Sequence, residues 1–384
     1  MIYLDNAATS WPKPKSVVDA VSDFMTNVGA NPGRSGHRLS MEAERIRLET
    51  RELVAGLFGG GDPFRVIFTP NVTEAINFVI GGLASKGGRV VTTSMEHNAV
   101  MRPLRNLEDT VGIEIVLVPV RVDGTLDIDA MERALEGEAD LAVVNHASNV
   151  SGTIVDIADV GRLARKQGVP LLVDAAQTAG CVPIDIKESM IDILAFTGHK
   201  GLLGPTGTGG IVFGDGFDCG RLPPAIFGGT GSRSEMEYQP DFLPDKYESG
   251  TVNIAGIAGL CEGVRWILDK GVDEIRAHEV EITGRMIRRL SEIDRVKVIG
   301  AGDARLQTAT VSFVVDGMDV SDIAVGLCDD FEVMCRVGLH CAPRAHMTLG
   351  TFPKGTVRFG MGPFTTIEDV DNALKAVGAV VNGR

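Results

Sequence analysis

An α/β fold, with a mostly parallel sheet covered by helices on both faces and a smaller α+β unit at the C-terminal end, is predicted by three features of the chain. Short, wholly apolar runs such as Leu141-Ala142-Val143-Val144 and Leu171-Leu172-Val173 alternate with segments of helical period up to residue 213. Strands that are apolar on both faces must be covered on both, which is the mark of a parallel sheet flanked by helices. After Gly214 to Gly250, a stretch rich in Gly, Pro, Ser and charge, a second group of strands and helices begins.

Taken in order, Ser16 to Phe24 and Ser40 to Leu57 place apolar residues at three- and four-residue spacing and read as helices. Arg65 to Phe68 reads as a strand, Thr73 to Leu83 as a helix, and Arg89 to Thr92 and Ile113 to Val118 as strands. Met131 to Leu135 is helical, Leu141 to Val144 a strand, and Val155 to Lys166 a helix. The runs from Leu171 and Ile191, and Gly210 to Phe213, are further strands. Gly214 to Gly250 has no clear period and reads as loops at the rim of a site. Helices follow at Ile254 to Leu268 and Glu279 to Leu290, then strands at Val296 to Ile299, Thr310 to Val314 and Thr356 to Phe359, with helices at Val320 to Leu327 and Ile367 to Val377. The expected organisation is an N-terminal segment, 1–15, packing with the small unit; a large α/β unit, 16–255; and a small α+β unit, 256–384, that carries the loop around Cys341.

The chain has 384 residues, 44% of them hydrophobic, enough for a sizeable core. Its net charge of −14 argues against nucleic acid or an anionic membrane as a main partner, though not against small anions. It opens without a basic stretch followed by an apolar one, and has no apolar run long enough to span a bilayer, so a cytoplasmic location is expected. Six cysteines occur without a CxxC pair, which favours free thiols over a disulfide framework.

Ligands in parallel α/β sheets bind beyond the carboxyl ends of the strands. Lys200 follows such an end, in Thr197-Gly198-His199-Lys200, and Asp174 ends the Leu171 run. An amine delivered by a buried strand is placed to lose its proton and attack a carbonyl carbon. A lysine of that kind, with an aspartate for a pyridinium nitrogen, is the pair that pyridoxal phosphate requires. Gln177 and Asn149 are candidates to reach the cofactor's phenolic oxygen. Thr69-Pro70-Asn71-Val72-Thr73-Glu74 joins a strand to a helix whose free amides suit a phosphate, with the Thr73 hydroxyl and His199 as further donors. The planar ring of His97 suits stacking on the pyridine. The glycine-rich run from Gly201 to Gly210 matches no Walker A pattern and reads as close backbone approach to a ligand or as turns.

Cys341 lies in Arg336-Val337-Gly338-Leu339-His340-Cys341-Ala342-Pro343-Arg344-Ala345-His346. Cationic neighbours (Arg336, His340, Arg344, His346) favour the thiolate, and Gly and Pro place it on a loop. The spacings of Cys335, His340, Cys341 and His346 match no familiar zinc pattern, so no metal is expected. Arg358, on a strand, can clamp an α-carboxylate at two points.

Together these motifs resemble the class V aminotransferase family of fold-type I pyridoxal-phosphate enzymes, and within it the cysteine desulfurases. The resemblance runs from Tyr3-Leu4-Asp5-Asn6-Ala7-Ala8-Thr9 through Gly33-Arg34-Ser35-Gly36-His37, Thr73 to Asn77, Glu96-His97-Asn98, Asp174 to Gln177, Gly198-His199-Lys200, Glu248-Ser249-Gly250-Thr251 and Arg336 to Cys341. It implies a covalent bond from Lys200 to pyridoxal 5'-phosphate, Asp174 on the ring nitrogen, His97 stacked on the ring with a catalytic part, and Gln177 on the phenolic oxygen. Thr73, Thr197 and His199 would bind phosphate with Val72 beside them, and Thr251 would reach the neighbouring site of a homodimer. Arg358, with Asn149 and Arg336, would hold the carboxylate of L-cysteine, and Cys341 would take its sulfur as a persulfide, leaving L-alanine. A sulfur-acceptor protein and a place in iron–sulfur cluster biogenesis are implied with it. L-Selenocysteine lyase activity, or an aminotransferase or Cα–Cβ lyase activity, is the alternative; a non-catalytic scaffold would not need the Lys200–Asp174 pair. Leu339 stands where close desulfurases usually carry a second histidine, and Phe359 to Pro363 also departs from their pattern. Both departures bear on substrate choice and sulfur acceptor.

Overall fold

The computed structural model describes residues 1–33 and 36–383; Arg34 and Ser35 of the Gly33–His37 motif lie outside the described residues. A short strand β1 (Ile2–Tyr3) precedes two helices, α1 (Lys15–Asp23) and α2 (Arg38–Leu57). The alternating part then runs β2 (Val66–Thr69), α3 (Val72–Leu83), β3 (Arg89–Thr93), α4 (Asn98–Val111), β4 (Glu114–Val118), α5 (Ile128–Leu135), β5 (Leu141–Asn145), α6 (Ile157–Gln167), β6 (Leu171–Asp174), β7 (Ile193–Thr197) and β8 (Gly209–Phe213). These strands form one sheet in the order β2-β8-β7-β6-β5-β3-β4, parallel except for β8, which runs against both its neighbours.

The predicted two-sided burial is met residue by residue. Phe68, Val91, Val144, Val173 and Phe196 face one apolar layer with α2, α5 and α6, while Ile67, Val90, Val143, Leu172 and Ala195 face the other with α3 and α4. This is the two-residue alternation of a pleated strand with both sides apolar. Each helix begins at a capping side chain where the sequence offers one: Asn71 accepts from Glu74 N, Asp127 from Ala130 N and Asp156 from Asp159 N.

From residue 214 to 250 the chain is loop apart from one short turn of helix, as expected. Then come α7 (Ile254–Lys270), α8 (Val272–Ser291), β9 (Val296–Ile299), β10 (Thr310–Val315), α9 (Val320–Phe331), β11 (Val333–Met334), β12 (Arg336–Gly338), α10 (Pro343–Thr348), β13 (Thr356–Gly360) and α11 (Ile367–Val381). The second sheet is antiparallel, β12-β13-β10-β9, and α8, α9 and α11 pack on it. Helix α7 was expected in the small unit, yet its Ile254, Ile257, Leu260, Val264 and Ile267 join the core of the large sheet. The apolar core changes over inside α8: Ile275 belongs to the first cluster, Ile282 and Met286 to the second.

The N-terminal segment serves both. Strand β1 lies parallel to β11 and Asp5 bridges to Gly360, while Ser10 N donates to His199 O at 3.0 Å. It therefore runs from the second sheet to the lysine end of the first. Glycines of the 201–210 run admit neighbouring chain rather than a ligand: a Cβ on Gly209 would stand 2.8 Å from Asn71 Cα, and one on Gly210 2.4 Å from Ile67 O. That close approach is what brings the start of α3 beside the end of β7.

Candidate active site

The carboxyl ends of β2, β3, β5, β6 and β7 point at one cavity of about 320 Å³. Its walls contain Val72, Thr73, His97, Asn149, Asp174, Gln177, Thr197, His199, Lys200, Arg336, Cys341 and Arg358, so twelve of the thirteen predicted site residues converge. Thr251 does not. It is exposed and lines a separate, apolar-walled cleft of about 490 Å³ with Thr69, Asn77 and Tyr247.

The floor is built on strand ends. Asp174 closes β6 with its Oδ1 accepting from Ala176 N at 2.9 Å. Burial pushes its carboxyl up, and the nearby Lys200 ammonium opposes that. Lys200, just past β7, is lowered to about 8 by burial, helped by Arg358 and Arg336 and resisted by Asp174. An amine so lowered is a nucleophile near neutral pH. His97 caps α4, its Nδ1 accepting from Ala99 N at 3.0 Å, which fixes the ring. Burial, then Lys200, lowers it to about 4, so it is a neutral ring at neutral pH.

One further acid, given no role by the sequence reading, lies close to the site without lining it. Glu96 is wholly buried within electrostatic reach of Asp174, accepting from Thr93 Oγ1 at 2.6 Å and Asn145 N at 3.1 Å. Burial raises it to about 8, with Asp174 adding to the rise. An acid three residues after an apolar strand, Thr93-Ser94-Met95-Glu96, was the available signal.

At the far end of the floor, Asn71 caps α3 through Glu74 N alone, at 3.0 Å, leaving the first amides of the helix, at Val72 and Thr73, open. Around this point some buried polar atoms have no partner among the described residues: Thr197 Oγ1, His199 Nδ1 and, across the cavity, Asn149 Oδ1. Buried polar groups are ordinarily satisfied. Unpartnered atoms at a helix start fit a phosphate-bearing ligand.

The opposite wall comes from the second sheet. Arg358 on β13 donates from Nη1 to Asn149 O at 3.0 Å, and Asn149 donates from Nδ2 to His340 O at 2.6 Å. Cys341 sits between β12 and α10, exposed, with positive φ at both His340 (47°) and Cys341 (57°). The expected cationic surround is thinner than the sequence reading had it. His340 donates to or accepts from Thr356 Oγ1 at 3.0 Å and His346 shares a bond with Thr351 Oγ1 at 2.6 Å. Both are buried, and burial lowers His340 to about 2 and His346 to about 4. They are neutral, so of the four expected cations Arg336 and Arg344 remain, and Arg358 joins Arg336 within electrostatic reach of Cys341. Gln177 spends one amide hydrogen on Ala7 O at 3.1 Å and keeps the other for the cavity.

A mostly parallel α/β sheet with a strand-end lysine, a buried aspartate and an open helix start defines a cofactor-dependent enzyme of the aminotransferase type. The Aminotransferase class-V family pattern matches residues 2–373, and the chain belongs to that family. A probable cysteine desulfurase of Pyrococcus abyssi is 34% identical over 385 residues, covering 99% of this chain and 94% of that protein. A cysteine desulfurase of Haloferax volcanii is 32% identical over 388 residues, covering 99% and 89%. Among solved structures, an apo cysteine desulfurase from Thermococcus onnurineus superposes with a TM-score of 0.93 at 34% identity, over 100% of this chain and 95% of that one. The cysteine desulfurase CsdA of Escherichia coli, in an S-sulfonic acid form, gives 0.86 at 26% identity, over 99% and 94%.

Proposed function

We infer that the protein is a pyridoxal-phosphate-dependent cysteine desulfurase, converting L-cysteine to L-alanine with the sulfur passed to Cys341. The observation that carries this reading is the opening of Lys200, Asp174 and Cys341 onto one cavity. Full-length relatives that bear the name support it.

When bound, the cofactor supplies an electron sink for the substrate's Cα. Lys200 holds it covalently and moves the Cα proton. Asp174 would keep its ring nitrogen protonated, with Glu96, raised to about 8, within electrostatic reach. His97 covers the ring. The amides of Val72 and Thr73, with Thr197 and His199, take the phosphate; Gln177, with Asn149 close by, takes the phenolic oxygen. Arg358 and Arg336 orient the substrate's α-carboxylate. Cys341 acts as a thiolate on the substrate sulfur: a new S–S bond forms and the carbon–sulfur bond breaks. The electron pair stays with carbon, which ends protonated as alanine. The protein is read as a homodimer, with Thr251 completing the neighbouring site from its exposed cleft. An acceptor protein draining the persulfide, in the cytoplasm, is part of the same reading.

The test is colour and sulfide release, wild type beside Cys341→Ser. The holoprotein is expected to be yellow in both. L-Cysteine with a reductant should yield sulfide and alanine in equal amounts from the wild type. Release from Cys341→Ser should fall at least about a hundredfold. Sulfide release at the wild-type rate from that variant would remove Cys341 from the reaction, and a keto-acid requirement would return the aminotransferase alternative.

A further inference from the structure

The antiparallel register of β12 and β13 sets Arg336 directly opposite Arg358. Like charges at opposed positions repel, and the Arg358 side chain is only 3% exposed. One carboxylate answers both. Asp5 Oδ1 accepts from Arg358 Nη2 at 3.1 Å and from Arg336 Nε at 3.2 Å, and its Oδ2 accepts from Arg336 Nη2 at 2.9 Å. Asp5 is there because its backbone bridges to Gly360 at the end of β13. The remaining contact of Arg358, to Asn149 O, is neutral, and its Nε has no acceptor among the described residues. Nε and Nη2 form one edge of a guanidinium, the edge that grips a carboxylate with two parallel bonds. Asp5 occupies half of it. Among the other described residues that line the cavity, Lys200 and Asp174 are of opposite sign, burial holds His97, His199 and His340 neutral, and Cys341 adds no cation.

We propose that Asp5 is a specificity-determining residue: two guanidiniums shared with one fixed carboxylate leave a single positive charge, so the site accepts one substrate carboxylate and rejects a second acid group on the same molecule. The proposal rests on the reading that Arg358 and Arg336 receive the substrate carboxylate. A second acid group would find the pair's other charge already cancelled by Asp5, with no arginine charge left to balance it. Asp5 does not touch the reacting atoms; it sets the charge that the arginines present.

The test uses two unreactive probes on the holoprotein, butyrate with one carboxylate and succinate with two, titrated by calorimetry. Asp5→Asn is expected to move the affinity ratio toward succinate by at least about tenfold. Asp5→Asn combined with Arg336→Gln restores a single positive charge, and the ratio should return to within about threefold of wild type. Asp5→Glu should keep the wild-type ratio. If Asp5→Asn does not fold, Arg336→Gln alone decides: the cluster becomes neutral and butyrate should bind at least about fivefold more weakly. A ratio in Asp5→Asn within about twofold of wild type, a double variant as tolerant of succinate as the single, or undiminished butyrate binding in Arg336→Gln overturns the proposal. Sulfide release from L-cysteine, measured on the same wild-type sample, keeps the two readings apart. Release with no effect of Asp5→Asn removes only the charge rule. No release with the expected shift removes the desulfurase reading and leaves the charge rule standing.

Discussion

The floor and the far wall of the cavity are built on opposite principles. Asp174 and Thr197 end β6 and β7, strands whose residues are buried on both faces, and Lys200 lies in the turn just past β7. Cys341 stands on an exposed turn, in left-handed backbone that a cysteine adopts only at a cost of order 1–3 kcal/mol. The difference follows the chemistry. Proton transfer at a carbon needs atoms fixed to a fraction of an ångström. Sulfur transfer needs a nucleophile that meets the substrate and then leaves with its load, and a short turn between two anchored elements can do that. The backbone of the turn is itself held, with Cys341 O accepting from Asn98 N at 2.8 Å and His340 O from Asn149 Nδ2 at 2.6 Å, so the movement falls to the exposed Cys341 side chain.

The hardest blow to the floor is Lys200→Ala. On the proposed reading, loss of the amine removes both the acceptor of the Cα proton and the covalent tether of the cofactor, so sulfide release should fall by at least about a thousandfold. The yellow colour should be lost on dialysis, where Cys341→Ser keeps it. Equal colour retention in the two variants would erase the division between floor and wall.

A second blow strikes below the floor. Glu248 is buried, with Arg51 Nη2 at 2.5 Å and Phe68 N donating to its Oε1 at 2.7 Å. It ties the loop region to α2 and to the strand that leads into α3. Removing one partner of a buried pair leaves an uncompensated charge, which costs about 3–5 kcal/mol. Glu248→Ala should therefore lower the thermal unfolding midpoint sharply. A surface pair such as Lys15–Asp19 should register less than about 1 kcal/mol when broken. Similar losses from the two would mean that the Glu248 cluster carries no structural weight.

The pH behaviour of the apoprotein sharpens the same contrast. The Lys200 amine is lowered to about 8 by burial, so its neutral form predominates above that pH and not only above 10.5. Capture of pyridoxal phosphate, followed by colour, should rise with pH and level off above about 8. The stability sign runs the same way. Between about 8 and 10.5 the folded state binds fewer protons at this site than the unfolded one, so folding gains as pH rises through that window. A capture rate still climbing at pH 10 would place the amine in water instead.

The floor was more legible in the sequence than the wall, for a physical reason. A strand buried on both faces announces itself as an apolar run, and the polar residue that ends it stands out. Lys200, Asp174 and the start of α3 were read that way. Strands β11 and β12 and helix α10 are two to six residues long and exist through their partners, so no period marks them. Helix α4 was passed over although Val100, Leu104, Leu107 and Val111 keep helical spacing, because Pro103 and the charges around it interrupt the pattern. The charge state of His340 and His346 was misjudged because neighbours in sequence show charge but not burial. Asp5 lay inside a quoted motif with no role, since its partners are more than three hundred residues away.

The smallest effect is expected from the residue most deeply placed. Glu96 and Asp174 are both buried carboxyls within electrostatic reach, and two adjacent charges in such a setting are disfavoured. Burial raises Glu96 to about 8, so near neutral pH it carries a proton. From this a sign follows. Between about 4.5 and 8 the folded state holds a proton on Glu96 that the unfolded state has lost, so this group makes folding less favourable as pH rises through that window. Glu96→Gln mimics the protonated form and keeps an oxygen for Thr93 and Asn145. It should leave sulfide release within about threefold of wild type. Its thermal midpoint should gain on the wild type steadily from pH 5 to pH 8, because the variant has no proton to lose. A gap that stays flat with pH would mean that Glu96 is ionised in the folded protein, and the negative charge behind the ring would then be shared between the two acids.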